Sequence, residues 1–212
     1  MVVSIIADLG IVKSECLKTA RIFEELIVDF FQTPDRGPSA YMRESWHRYV
    51  ELHPHEDVGT NGKFFELCLA TLLVREGIIP FYMQARVAFV PNISYDFILY
   101  TRDSGPVCIS AKTTLRERYK QADLEAVALK YVHRRAKSFL INISEAENRK
   151  LQQKIQNGDV MGLDGSVFAF GSEFDVFMRG LSKRPLMIAP EVRVIQSDTV
   201  ITREVVRRFS KK

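Results

Sequence analysis

Hydrophobic and polar positions along this chain follow two rhythms, and the change between them divides it. Between residues 14 and 32, Leu17, Ile22, Leu26 and Phe30 recur at roughly helical spacing behind Ser14, a residue type that caps helix N-termini. The stretch QTPDRGPS then breaks the pattern with two prolines and a glycine. After it, AYMRESWHRYVELH predicts a second helix with Trp46 and Tyr49 on or near its buried side. NGKFFELCLATLLVREG is strongly apolar, which predicts a core helix bounded by Asn61 and Gly62 at its start and by Gly77 as its C′ glycine. That helix carries Glu66 in its first turns.

From residue 78 the period shortens. IIPFYMQARVAFV reads as a strand or a bent strand pair, with Pro80 weakening its beginning. SYDFILYT and VCISAK are short strands rich in β-branched and aromatic residues, separated by RDSGP, which is a hairpin turn by composition. There follow a long helix from Leu115 to Lys137, the strand SFLINIS, a charged helix over 145–157 and the strand SVFAFG. EFDVFMRGL is a helix or turn, and PLMIAPEVRVI adds one or two strands. Helices followed by β-β-β-α-β-α-β predict a mixed sheet flanked by helices, of the α/β or α+β class. The expectation is one domain with a helical N-terminal part (1–58), a core (59–145) and a C-terminal sheet and helix part (146–212).

Composition supports a real core: 46% of the 212 residues are hydrophobic and 26% charged. No apolar run approaches the roughly 20 residues of a membrane span, and the first residues lack the basic and small-residue marks of a signal peptide. Cys16, Cys68 and Cys108 lie in apolar surroundings, the usage of buried thiols in a reducing compartment, so the cytoplasm is expected. His53 and His55 flank a proline with no third ligand at a matching spacing, which favours surface histidines over a metal site. A net charge of +4 permits nucleic-acid binding without demonstrating it. The last ten residues concentrate it, with Arg203, Arg207, Arg208, Lys211 and Lys212 against Glu204 alone.

Candidate chemistry enters through the hairpin. A turn centred on Ser104 pairs Asp96 with Lys112 and Ile98 with Ser110, and directly opposed residues share a face of the sheet. Asp96 and Lys112 are then neighbours, with Ser110 two positions along. One reading is an ion pair at a strand end. The other adds Glu66, whose carboxylate on an apolar helix needs a partner, because stranding it costs on the order of several kcal/mol. A cation beside Asp96 satisfies both carboxylates, and hard oxygen ligands suit Mg²⁺.

With "GKFFE" carrying Glu66 on a helix, "SYD" carrying Asp96 on a strand and "SAK" carrying Lys112 on the next, residues Gly59 to Phe139 resemble the PD-(D/E)XK nuclease superfamily and, within it, the type II restriction endonucleases. The sequence departs from that pattern at Tyr95, where proline is frequent, and at Ser110, where the second acid belongs. The resemblance implies a restriction-endonuclease-like mixed sheet flanked by helices, with a helical N-terminal extension. It also implies hydrolysis of DNA phosphodiester bonds with Mg²⁺ held by Asp96, Glu66 and the carbonyl of Ala111. Lys112 would orient the attacking water, and Ser110 would assist. In some members the missing acid comes from the helix after the lysine strand, which makes Asp123 and Glu125 alternatives to Glu66. Arg116, Arg118 and Lys120 lie just beyond Lys112 as candidate phosphate contacts, with Arg43, Arg48 and the C-terminal arginines behind them. The apolar side chains of 14–32 offer a homodimer face for a palindromic target. The rival expectations are a repair or Holliday-junction nuclease on the same fold, and a catalytically inactive DNA-binding relative, since Ser110 replaces an acid.

Overall fold

Buried apolar residues cover α4 (Val58–Arg75) almost all round, and the fold is organised about it. The helix starts earlier than the sequence suggests. Asp57 caps it, accepting from the Gly59 and Thr60 amides at 2.7 and 3.0 Å. Asn61 therefore lies inside the helix, where its side chain accepts the Tyr49 hydroxyl at 2.7 Å. At the other end Gly77 adopts a φ of 65°, and the Gly77 and Ile78 amides reach back to Val74 and Leu73. This is the glycine-terminated C-cap expected there.

The computed structural model describes residues 5–12, 17–27, 29–32, 36–90 and 92–191. Ahead of α4 come α1 (Ile5–Asp8), α2 (Leu17–Leu26) and α3 (Pro38–Leu52). After it come β1 (Phe81–Ala85), β2 (Tyr95–Thr101), β3 (Gly105–Lys112), α5 (Arg118–Val132), β4 (Lys137–Asn142), α6 (Glu145–Gln156), β5 (Gly165–Phe168) and α7 (Ser172–Ser182). The strands form one sheet in the order β1-β2-β3-β4-β5. The first two pairings are antiparallel and the last two parallel. This is the mixed sheet flanked by helices that the element order predicts.

The pleat sorts side chains to two cores. Phe97, Leu99, Val107, Ile109 and Ala111 face the helical layer of α2, α3, α4 and α7. Ile98 and Cys108 face Leu129 and Ala136, and Leu140 packs with Ala122, Ala126 and Leu151 from α5 and α6. Tyr49 stacks on Phe64 at 4.0 Å between centroids. Asp175 of α7 accepts the Ser39 amide at 2.7 Å and so ties α7 to the start of α3. Cys68 and Cys108 are free and buried; Cys16 lies outside the described residues. No described helix is long and apolar enough to cross a membrane.

Several expectations are corrected. The hairpin turn is centred on Asp103, not Ser104, because Thr101 pairs with Gly105 and Phe97 with Ile109. Gly105, at a φ of 72°, supplies the left-handed residue that this tighter turn needs. The helix expected from Leu115 to Lys137 runs only from Arg118 to Val132, and Lys137 already opens β4. Strand β1 ends at Ala85. From PLMIAPEVRVI only Leu186 forms a bridge, to Thr101, and residues from 192 on lie outside the description. Ile22, Phe23, Leu26 and Ile27 are buried in the core, so the apolar side of α2 is not a free dimer face.

Candidate active site

Moving the turn by one position shifts the strand pairing by two residues, which preserves the pleat. Extending the observed register brings Asp96 level with Ser110, and Lys112 reaches Asp96 on the diagonal. Lys112 Nζ donates to Asp96 Oδ2 at 2.7 Å, and the Ala111 amide donates to the same oxygen at 2.9 Å. Both side chains of the pair are largely buried, 15% exposed for Lys112 and 12% for Asp96. Ala111 thus meets Asp96 through its amide, while its methyl group is buried on the other face of the sheet.

Glu66 faces this pair from α4. Its Oε2 accepts the Gln84 side chain at 3.1 Å, and the Gln84 carbonyl in turn accepts Ser94 Oγ at 3.4 Å. Burial and then the charge of Asp96 push the Glu66 carboxyl up to about 7, against the pull of Lys112, Gln84 and Lys63. Glu125, half-buried on α5, is also raised, first by burial and further by Asp96, while Gln121 and Lys112 oppose the rise. Gln121 donates to Glu125 at 2.8 Å. Three carboxylates therefore share the field of Lys112, with only a weaker pull from Lys63 on Glu66 besides. Neither Asp96 Oδ1 nor Glu66 Oε1 accepts a hydrogen bond from a described residue.

The other expected site residues differ in how near they lie to this group. Ser110 is buried, level with Asp96 in the extended register. Asp123 is committed to a loop: Oδ1 accepts the Gly162 and Leu163 amides at 2.5 and 3.2 Å, and Oδ2 accepts Met161 at 3.4 Å. Gly162 must be glycine for this, since a Cβ there would stand 2.3 Å from the Asp123 carbonyl oxygen. Arg116 lies in the turn before α5, and Arg118 begins the helix; both are exposed. Lys120 is paired with Glu117. Arg43 donates to the Phe170 carbonyl at 2.6 Å, and Arg48 is exposed on α3. The basic C-terminal residues lie outside the described chain.

Two residues to which the sequence assigned no role in the site complete the surroundings. Gln84 stands across from Asp96 in the β1–β2 register, at a φ of 46°, an uncommon conformation for a side chain larger than glycine. Tyr95, buried, donates its hydroxyl to the Glu125 carbonyl at 3.0 Å and ties α5 to β2. A polar residue at the end of a weak strand was the available signal for Gln84; Tyr95 stood out only as a tyrosine where proline is frequent. Among the described residues no cluster of three or more His, Cys, Asp or Glu side chains has a ready metal-site geometry. Two carboxylates with free oxygens still fit Mg²⁺, which keeps several waters and takes one or two protein carboxylates.

No family model matches the sequence, and no curated protein matches it. The structure is similar to a solved one described as a restriction endonuclease PspGI–substrate DNA complex. The TM-score is 0.55 and the identity 18%, over 70% of this chain and 75% of that one. The fold is restriction-endonuclease-like.

Proposed function

We propose that this chain is a Mg²⁺-dependent endonuclease that hydrolyses phosphodiester bonds in double-stranded DNA, a sequence-specific type II restriction enzyme acting as a cytoplasmic homodimer. The observation that carries the reading is the excess of half-buried carboxylates over ammonium groups where β2 and β3 meet α4 and α5. Such an excess is costly without a cation, and Asp96 and Glu66 each keep an oxygen free to hold one.

Asp96 and Glu66 would hold the metal, with the carbonyl of Ala111 as a third oxygen. When bound, Mg²⁺ polarises the scissile phosphate and eases deprotonation of the attacking water. Lys112 has three N–H donors and gives one to Asp96, which leaves two for a water or a phosphate oxygen. Its charge opposes the negative charge that builds on phosphorus during attack. Gln84 fixes one oxygen of Glu66, and Tyr95 fixes the backbone that presents Glu125. Because Asp123 is bound to the 161–163 loop, Glu66 is the first choice to replace the acid missing at Ser110, with Glu125 second. With the apolar residues of α2 occupied in the core, a two-fold partner needs another face; Leu124, Val127 and Tyr131 are exposed along α5 and suit it.

Ser110 itself favours a second reading, a DNA-binding relative without catalysis. Incubating the purified protein with plasmid and phage DNA, in Mg²⁺ and in EDTA, separates the two. Discrete Mg²⁺-dependent fragments support restriction, and structure-selective nicking indicates a repair enzyme instead. DNA retained but uncut favours the inactive relative.

A further inference from the structure

A second polar feature lies beside this site. Strands β3 and β4 are parallel, with Lys112 level with Asn142, and α5 and α6 follow them directly. Both helices therefore start at the edge of the sheet where Lys112 ends β3, the edge at which open α/β sheets receive ligands. Between the start of α5 and the length of α6 runs a cleft of about 200 Å³. Leu115 and Leu151 form its floor, Tyr119 gives it an aromatic wall, and Arg116, Lys150 and Lys154 line it with positive charge.

Among the described residues none of these three cations has a carboxylate partner. Lys150 and Lys154 stand four apart on α6, where like charges weaken a helix by a few tenths of a kcal/mol, ~0.2–0.5. Lys154 also gains from its place in the last turn of α6, while Lys150 lies mid-helix; both side chains are exposed. Glu147 also borders the cleft, but its Oε2 accepts the Leu115 amide at 3.0 Å, and the lining stays net positive. This bond and the one from the Arg118 amide to the Leu115 carbonyl, 2.5 Å, hold the turn in which Arg116 takes a φ of 28°. Such strain is retained where the surroundings fix it.

We infer that this cleft binds the backbone of the DNA strand flanking the cut, with phosphate oxygens on Arg116, Lys150 and Lys154 and a sugar or base against Tyr119. The inference rests on the endonuclease reading and adds a contact surface to it. Four residues of chain span at most about 14 Å, so Arg116 lies within about four nucleotide rises of Lys112. A strand with one phosphate at Lys112 that runs toward α6 reaches the cleft within that span. Unpaired cations over an apolar and aromatic floor suit a nucleic-acid strand better than a free inorganic anion, which has no use for the floor.

The test is fluorescence anisotropy of a labelled short duplex in EDTA, over about 50 to 200 mM salt. It compares the parent, the Lys150→Ala/Lys154→Ala double variant and Lys183→Ala. Lys183 is exposed at the far end of α7, which runs back from the edge of Lys112, so it serves as the control. The double variant is expected to bind on the order of tenfold more weakly, with the slope of log affinity against log salt reduced by about 2 in magnitude, while the control matches the parent. Unchanged affinity and slope in the double variant, or no duplex binding by the parent, would overturn the inference. So would inorganic phosphate displacing the duplex from the parent far better than chloride at equal ionic strength, which marks a free-anion site. The endonuclease reading is judged apart, by adding Mg²⁺. Cutting with unchanged binding in the double variant removes the cleft and keeps the enzyme. Binding without cutting removes the enzyme and leaves the cleft to the slopes.

Discussion

Asp164 and Asp96 sit at opposite edges of the sheet and use the same vocabulary. Each is mostly buried, and each accepts a backbone amide and a lysine. Asp164 has two lysines, Lys130 at 2.7 Å and Lys137 at 3.0 Å, and the Ser138 amide. Burial works to raise its pKa, yet the lysines and the amide outweigh it and hold the carboxyl below its usual range. Asp96 shares its one lysine with Glu66 and Glu125, and both of those carboxyls are pushed up. One edge has more cation than acid and needs nothing more; the other has more acid than cation. The difference teaches that a buried ion pair is poor evidence of function, while a buried charge deficit points to a missing ion.

Substitutions on the two sides should therefore fail in different ways. Asp96→Ala and Lys112→Ala are each expected to lower the rate of plasmid cutting by about 10³-fold or more, with duplex binding still measurable by gel shift. Asp164→Asn should leave the cutting rate of the folded protein within about twofold. A cutting defect in Asp164→Asn equal to that of Asp96→Ala would erase the distinction. Glu66→Gln should slow single-turnover cleavage on the order of 100-fold, and Glu125→Gln about tenfold or less. The reverse order would move the second metal-holding acid to α5.

Stability should show the mirror image. Asp164→Asn is expected to lose about 1–3 kcal/mol in urea unfolding, because it removes the charge that two lysines share and turns one of the two accepting oxygens into a donor. The smallest effect is in pH. Glu66 titrates near 7 in the folded chain against an ordinary 4.5, so the folded state binds a proton that the unfolded state has released. The contribution to stability is complete below about pH 4.5 and is lost as the pH rises to 7. In EDTA at pH 8, Glu66→Gln should be more stable than the parent by about 1–2 kcal/mol, and the gap should close at pH 4. A gap independent of pH would mean that Glu66 carries no charge penalty.

Much of this was legible in the sequence because it depended on parity and not on exact pairing. Asp96 and Lys112 stay on one face of the hairpin whether the turn is centred on Ser104 or on Asp103, since that shift is two residues. Glu66 was visible as a carboxylate amid apolar neighbours. Other features depend on distant parts of the chain. The roles of Asp123 and Glu125 separate only because residues 161–163 fold over the former. Gln84 matters through the β1–β2 pairing, and Tyr95 through a bond to α5. The apolar spacing of α2 could not say whether its side chains met this chain's core or a second copy. The cleft between α5 and α6 depends on two helices brought side by side by a parallel strand pair.

The most direct test is a supercoiled plasmid incubated with the purified chain in Mg²⁺ and in EDTA, beside Asp96→Ala and Asp164→Asn. The expected result is cutting by the parent and by Asp164→Asn in Mg²⁺ alone, with the plasmid intact under Asp96→Ala. An intact plasmid with the parent in Mg²⁺, or cutting that persists in EDTA or in Asp96→Ala, would contradict it.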